Sequence, residues 1–203
     1  MVDINRMNVY YRRMRHKDEN KSERIFNASI QLINELGLSE ASMSKIAKKA
    51  GVSASTIYVY FENKEDMLNK LYLSIKKEMS LEVFYDYNES MPLKTAFEHA
   101  LGKYIDFVLT HKDEFLFLEQ FSNSPLLDKL SRNEGLEYFE PLIKLFEKGK
   151  SQNVFKQVDT SLLHMFMFNP VMQYVKEYFG GRLEFKQESL NEIVQMTWDA
   201  LKA

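Results

Sequence analysis

Hydroxyl and ammonium groups suited to a polyanion gather between Ser42 and Lys64. Ser42, Ser44 and Lys45 open one short segment, and Ser53, Ala54, Ser55, Thr56 and Tyr58 open a second. Beside the free amides of a helix N-terminus, Ser42, Ser44 and Lys45 would hold phosphate oxygens, while the second segment offers Ala54, Ser55, Thr56 and Tyr58 to base edges. Ala54 can touch a thymine methyl and Ser55 can bond several bases, but neither is a strong reader. The second segment carries no Arg or Asn for a bidentate base contact. The expected chemistry is phosphate binding with light base reading, so specificity would lean on duplex shape and half-site spacing.

Such side chains need two short helices to place them. Ser42 suits an N-cap, because its hydroxyl can accept from an amide of the first turn. Met43, Ile46, Ala47 and Ala50 then recur at helical spacing. Gly51 follows where a helix ends on positive φ, and Ser53 can cap the next helix. Ile57, Phe61 and Val52 read as core. Two short helices across a Gly-containing turn read as a helix-turn-helix whose second helix enters DNA.

From Lys21 to Leu71 the chain resembles the TetR family of bacterial transcriptional regulators. The matching residues are Gly37, Ser42-Met43, Ile46-Ala47-Lys48-Lys49-Ala50-Gly51-Val52-Ser53, Thr56-Ile57-Tyr58-Val59-Tyr60-Phe61 and Lys64-Glu65-Asp66-Met67-Leu68. Ser55 departs from the pattern, which often has Gly there; the hydroxyl alters contacts on the recognition helix. The resemblance implies that Tyr58, Tyr60 and Lys64 hold phosphates. It also implies a homodimer on a double-stranded DNA operator, with a small-molecule effector bound in the helical body.

The rest of the chain also reads as helix. A first helix is expected from about Lys21 to Leu36, with Ile25, Ala28, Leu32, Ile33 and Leu36 on its buried side. The fourth begins at Asn63-Lys64-Glu65-Asp66, acids in its first turn. Five more are expected: Pro92 to Thr110, Lys112 to Phe121, Asp128 to Lys150, Thr160 to Phe179 and Lys186 to Ala203. Pro141 should kink or divide the third of these, and Asn169-Pro170 should interrupt the fourth. The fold class is therefore all-α, about nine helices. The domains expected are a basic N-terminal arm (1–20), a helix-turn-helix DNA-binding domain (21–66) and a helical effector-binding and dimerisation domain (67–203).

Charge supports that division. Residues 1–64 carry 11 Lys/Arg against 7 Asp/Glu, while the remainder carries 16 against 22, within an overall net charge of -2. A polyanion belongs at the basic N-terminal end. There are no cysteines, which removes disulfides, thiol nucleophiles and Cys-based zinc sites and suits a reducing cytoplasm. No apolar run is long enough to span a bilayer, and the N-terminus is not a secretory signal. No phosphate loop, nucleophile elbow or acid/base pair is evident, so no enzyme and no cofactor is expected. Nor is a metal site: His16, His99, His111 and His164 lack a close i,i+4 pairing. His111 beside Asp113 and Glu114 would not converge, because adjacent helical residues point apart.

Met and aromatic residues crowd the body and can line an adaptable apolar pocket. The ligand-binding candidates are Phe107, His111, Phe115, Phe121, His164, Phe168 and Asn169. Val171, Tyr174, Val175, Tyr178, Ile193, Met196, Thr197 and Trp198 on the last two helices are the candidate dimer face. The function expected is a DNA-binding regulator, a repressor released from a near-palindromic operator by an apolar or amphipathic effector. Its rival is an architectural or protein-partner-binding factor that uses the same fold at DNA without an effector.

Overall fold

A computed structural model describes residues 21–203; the basic arm expected over 1–20 lies outside the described residues. Ten helices, α1 to α10, carry the described chain: 21–36, Met43–Ala50, Ala54–Tyr60, Lys64–Val83, Leu93–Thr110, Lys112–Phe121, Lys129–Glu137, Glu140–Ser151, Thr160–Phe179 and Gln187–Leu201. The one more than expected arises at Pro141. It sits in the first turn of α8, where its missing N–H is harmless, so the stretch divides into α7 and α8. At Pro170 the outcome differs: α9 runs through it unbroken. Both Pro170 and Phe166, whose carbonyl loses its helical partner, lie at the solvent-facing side, where water can serve that oxygen.

The chain divides into two compact units. Unit one holds the described residues up to Leu71 together with Phe117–Asp128; unit two holds Tyr72–Leu116 and Lys129–Ala203. Periodicity along the chain cannot anticipate the return of residues 117–128 to unit one. Asn69 secures it. Its side-chain amide donates to the Leu126 carbonyl (2.9 Å), and its oxygen accepts from the Asp128 amide (3.1 Å). Gln120 also reaches Asn34 from α6 (3.2 Å).

Within unit one the core is Ile25, Ile33, Ile46, Ile57, Phe61, Met67 and Leu68, all buried. Phe26 packs on Phe61 with ring centroids 5.5 Å apart. Leu36, expected on the buried side of α1, is instead exposed, because the helix ends there and Gly37 turns the chain away at φ 84°.

Unit two is built on an aromatic knot. Trp198 lies 5.2 Å from Phe97 and 5.5 Å from Phe155, and Phe155 also meets Phe146 at 6.3 Å. Phe155 is fully buried although it lies in a loop. Two backbone bonds tie that loop to the C-terminus, Lys156 N to Leu201 O and Ala203 N to Val154 O, both 2.9 Å. Gly149 makes the space: a β-carbon there would stand 2.0 Å from the Phe155 ring. We predict that Gly149→Ala forces Phe155 from its seat and destabilises the protein by about 1–3 kcal/mol. Urea unfolding checks this, and a midpoint equal to wild type contradicts it.

Candidate nucleic-acid interface

The two short helices of unit one are held by their ends. At α2 the Ser42 hydroxyl accepts from the Lys45 amide (3.3 Å). At the far end Gly51 adopts φ 67°, ψ 34°, and the Val52 amide returns to the Ala47 carbonyl (3.0 Å). That left-handed terminus satisfies carbonyls the helix would otherwise leave open. At α3 the Ser53 hydroxyl accepts from the Thr56 amide (3.1 Å) and shares hydrogen bonds with Ser55 (2.8 Å) and Thr56 (2.7 Å).

Burial then assigns the faces. Met43, Ile46, Ala47 and Ala50 of α2 and Ile57 of α3 turn inward. Ser44, Lys45, Ser53, Ala54, Ser55 and Tyr58 face solvent, while Ser42, Thr56, Tyr60 and Lys64 are half-buried. Tyr60 also packs against the Phe61 ring (6.3 Å), so part of its surface serves the core. Lys45 reaches back to Glu40, donating to its carbonyl (3.0 Å) with the carboxylate 3.6 Å away.

Lys64 is more constrained than its sequence context suggests. Its ammonium donates to the Leu38 carbonyl, and burial pulls its pKa down while Glu40 opposes that pull. One of its three hydrogens is thereby committed, and two remain. Val59 also faces solvent, at 79% exposure. Its signal was the helical wheel: with Ile57 inward, Tyr58 and Val59 must both point away.

The ligand candidates fall in both units. Phe121 belongs to unit one, where it stacks on Phe117 (5.4 Å). Asn169 lies on the exposed side of α9, outside any interior pocket of unit two. The other five lie in unit two. His164 rests against Phe168 (5.0 Å), which meets Tyr104 edge-on (4.7 Å). His111 stacks on Phe107 (4.4 Å), and Phe115 meets Phe179 (6.0 Å).

Lys76 is the group that sequence reasoning missed here. Its ammonium sits 4.1 Å over the Phe139 ring, and no carboxylate among the described residues pairs with it. Burial pushes its pKa down to about 8. His164 faces solvent on α9, like Asn169; partial desolvation, with the Lys76 charge adding, lowers its pKa. A lysine at a helical position gives no sequence sign of its half-buried seat, because only tertiary packing brings Phe139 beneath it.

The dimer candidates are also divided. Val171, Val175, Thr197 and Trp198 are buried within their own unit, Trp198 in the aromatic knot, so these four cannot present an outer face. Tyr174 and Ile193 are half-buried, and the Tyr174 hydroxyl bonds the backbone of Lys186 (2.8 and 3.1 Å). Tyr178 and Met196 face outward. So do Leu162, Met165 and Phe166, at i, i+3 and i+4 along α9.

Two short, end-capped helices joined across a left-handed glycine and presenting hydroxyls and a lysine form a helix-turn-helix. Two family models match the chain. One is described as "Bacterial regulatory proteins, tetR family" and covers residues 25–71; the other, "Tetracyclin repressor-like, C-terminal domain", covers residues 92–202, more than half the chain. The chain belongs to the TetR family. An uncharacterized helix-turn-helix-type transcriptional regulator of Haemophilus influenzae is 24% identical over 93% of this chain and 100% of its own length. A TetR family transcription regulator from Marinobacter aquaeolei has a similar structure, with a TM-score of 0.85 and 24% identity over 93% of this chain and 98% of that one. The regulator FadR from Bacillus subtilis, solved in complex with stearoyl-CoA, superposes with a TM-score of 0.70 and 22% identity, covering 86% and 96% of the two chains. Among the described residues no helix is long and apolar enough to cross a membrane.

The unpaired Lys76 makes a pH signature. Its folded pKa lies below the ordinary 10.5, so between about pH 8 and 10.5 the unfolded chain binds the extra proton. Stability therefore rises with pH across that window. Lys76→Met should remove this rise and add on the order of 1–3 kcal/mol at pH 7. Denaturant unfolding from pH 7 to 10.5 checks both, and a wild-type profile in the variant contradicts the assignment.

Proposed function

We propose that the protein is a homodimeric repressor that holds a near-palindromic operator through α3. It would be released by an amphipathic effector with an acidic head, taken up in unit two. The observation that carries the DNA half is the outward face of α2 and α3. Ser42, Ser44, Lys45, Ser53 and Thr56 line two helix starts, where hydroxyls and free amides suit phosphates. Tyr58, Tyr60 and the two uncommitted hydrogens of Lys64 extend that set. Ala54, Ser55 and Val59 remain for base edges, with Ala54 and Val59 suited to thymine methyls.

The operator follows from the dimer. The exposed apolar stripe Leu162, Met165 and Phe166 on α9, with Tyr178 and Met196, supplies an isologous face free of buried core residues. A second copy there sets the spacing of two recognition helices, about 34–36 Å for adjacent turns of B-DNA. An effector that prefers one spacing shifts the population toward it, and DNA affinity changes by the same linkage. For the effector's chemistry, Lys76 supplies a desolvated cation without an acid partner, beside Phe139 and His164. Stearoyl-CoA, the molecule held by the B. subtilis FadR structure, has that combination of apolar chain and anionic head.

Duplexes selected from a random pool should converge on an inverted repeat. On the selected duplex, Tyr58→Ala should weaken binding by about tenfold or more, and Lys64→Ala should lower the slope of log K against log salt by about 1. Unchanged affinity and slope in both variants would sink the assigned contacts. Phe166→Glu should sediment as a monomer, and a persistent dimer would move the interface elsewhere. Stearoyl-CoA should release wild type from DNA at lower concentration than it releases Lys76→Met; equal release would remove Lys76 as the anchor.

A further inference from the structure

We propose that Glu78, Glu82 and His111 bind a divalent first-row transition-metal ion, zinc above all. These three residues are separated in sequence but converge in unit two. Glu78 and Glu82 stand one helical turn apart on α4, and His111 is the C-cap residue of α5. One ligand atom from each lies within 4.8 Å of the other two.

The imidazole is held in the orientation a metal requires. His111 Nδ1 lies 3.2 Å from the Phe107 carbonyl, and a carbonyl can only accept. The hydrogen therefore sits on Nδ1, and Nε2 is the nitrogen turned toward Glu82. Metal-bound histidines commonly anchor their second nitrogen on a backbone carbonyl in this way. The ring is further fixed by stacking on Phe107 (4.4 Å), which is itself fully buried.

Distances on the carboxylate side agree. His111 Nε2 and Glu82 Oε1 are 3.5 Å apart. Two ligands bound at about 2.0–2.1 Å in a tetrahedral shell stand about 3.3–3.4 Å from one another, so a small ion fits between them. That separation is longer than the 2.7–2.9 Å typical of a charge-assisted hydrogen bond. Glu78 has no cation or donor partner among the described residues, and like charges at i,i+4 on one helix repel. A divalent cation offsets both.

One imidazole with two carboxylates selects the ion. Calcium and magnesium take oxygen ligands, whereas imidazole favours zinc and its neighbours. Three protein ligands leave a fourth position to water, and both glutamates are exposed, so an ion can enter directly. Ligation would join α4 to the corner between α5 and α6.

The test is titration of chelator-treated, full-length protein with zinc chloride by isothermal calorimetry, with magnesium and calcium chloride as comparison arms. Wild type should bind one equivalent of zinc per chain at micromolar concentration. Glu82→Gln and Glu78→Gln, exposed and nearly isosteric changes, should each weaken binding by at least about tenfold. Cobalt should give a visible absorption band in wild type that the double variant loses. The proposal is overturned by no zinc binding in wild type, by undiminished binding in the double variant, or by magnesium or calcium binding as tightly as zinc.

Discussion

Helices of eight and seven residues have no stability of their own in water, because nucleating the first turn costs more than so few bonds return. α2 and α3 exist because their ends are closed and their inner faces are buried. The Ser42 and Ser53 hydroxyls take up first-turn amides, and Gly51 turns left-handed between the helices. Ile46 and Ile57 are wholly withdrawn from water. In the proposed function the same hydroxyls that close the helices also meet the phosphates. The surface free for DNA is thus what remains once the caps and the core have taken their share. Lys64 shows this most clearly, since the Leu38 carbonyl already occupies one of its donors.

Unit two follows a different economy. Its aromatic knot of Phe97, Phe146, Phe155 and Trp198 is apolar and closed, with Gly149 admitting Phe155 and the C-terminal backbone bonds sealing its loop. Away from the knot stand polar groups that packing leaves incompletely answered: Lys76 over an aromatic face, and two glutamates drawn up to His111. The desolvated Lys76 is costly to a fold, and perturbed or convergent titratable groups are characteristic of places where something binds.

Much of the local architecture was legible in the sequence. The capping serines, Gly51, the apolar face of α2 and the division at Pro141 all depend on residues within a turn of one another. Legibility failed where a helix is apolar on most sides. From Leu162 to Phe168 only His164 interrupts the apolar run, so periodicity could not tell the core face from the outer one. The residues chosen there for an interface included Val171 and Val175, which are buried, while Leu162, Met165 and Phe166 face out.

By itself, then, the sequence determined an all-α chain of the TetR family and its helix-turn-helix pair. Capping, turn chemistry and helical spacing act over three or four residues and need no tertiary partner. Only the tertiary structure decided which face of α9 is free, that residues 117–128 return to unit one, and that Lys76 lies half-buried over Phe139. It also brought His111 to Glu78 and Glu82 rather than leaving it beside Asp113 and Glu114. These outcomes depend on groups far apart along the chain, and only packing sets the distance between them.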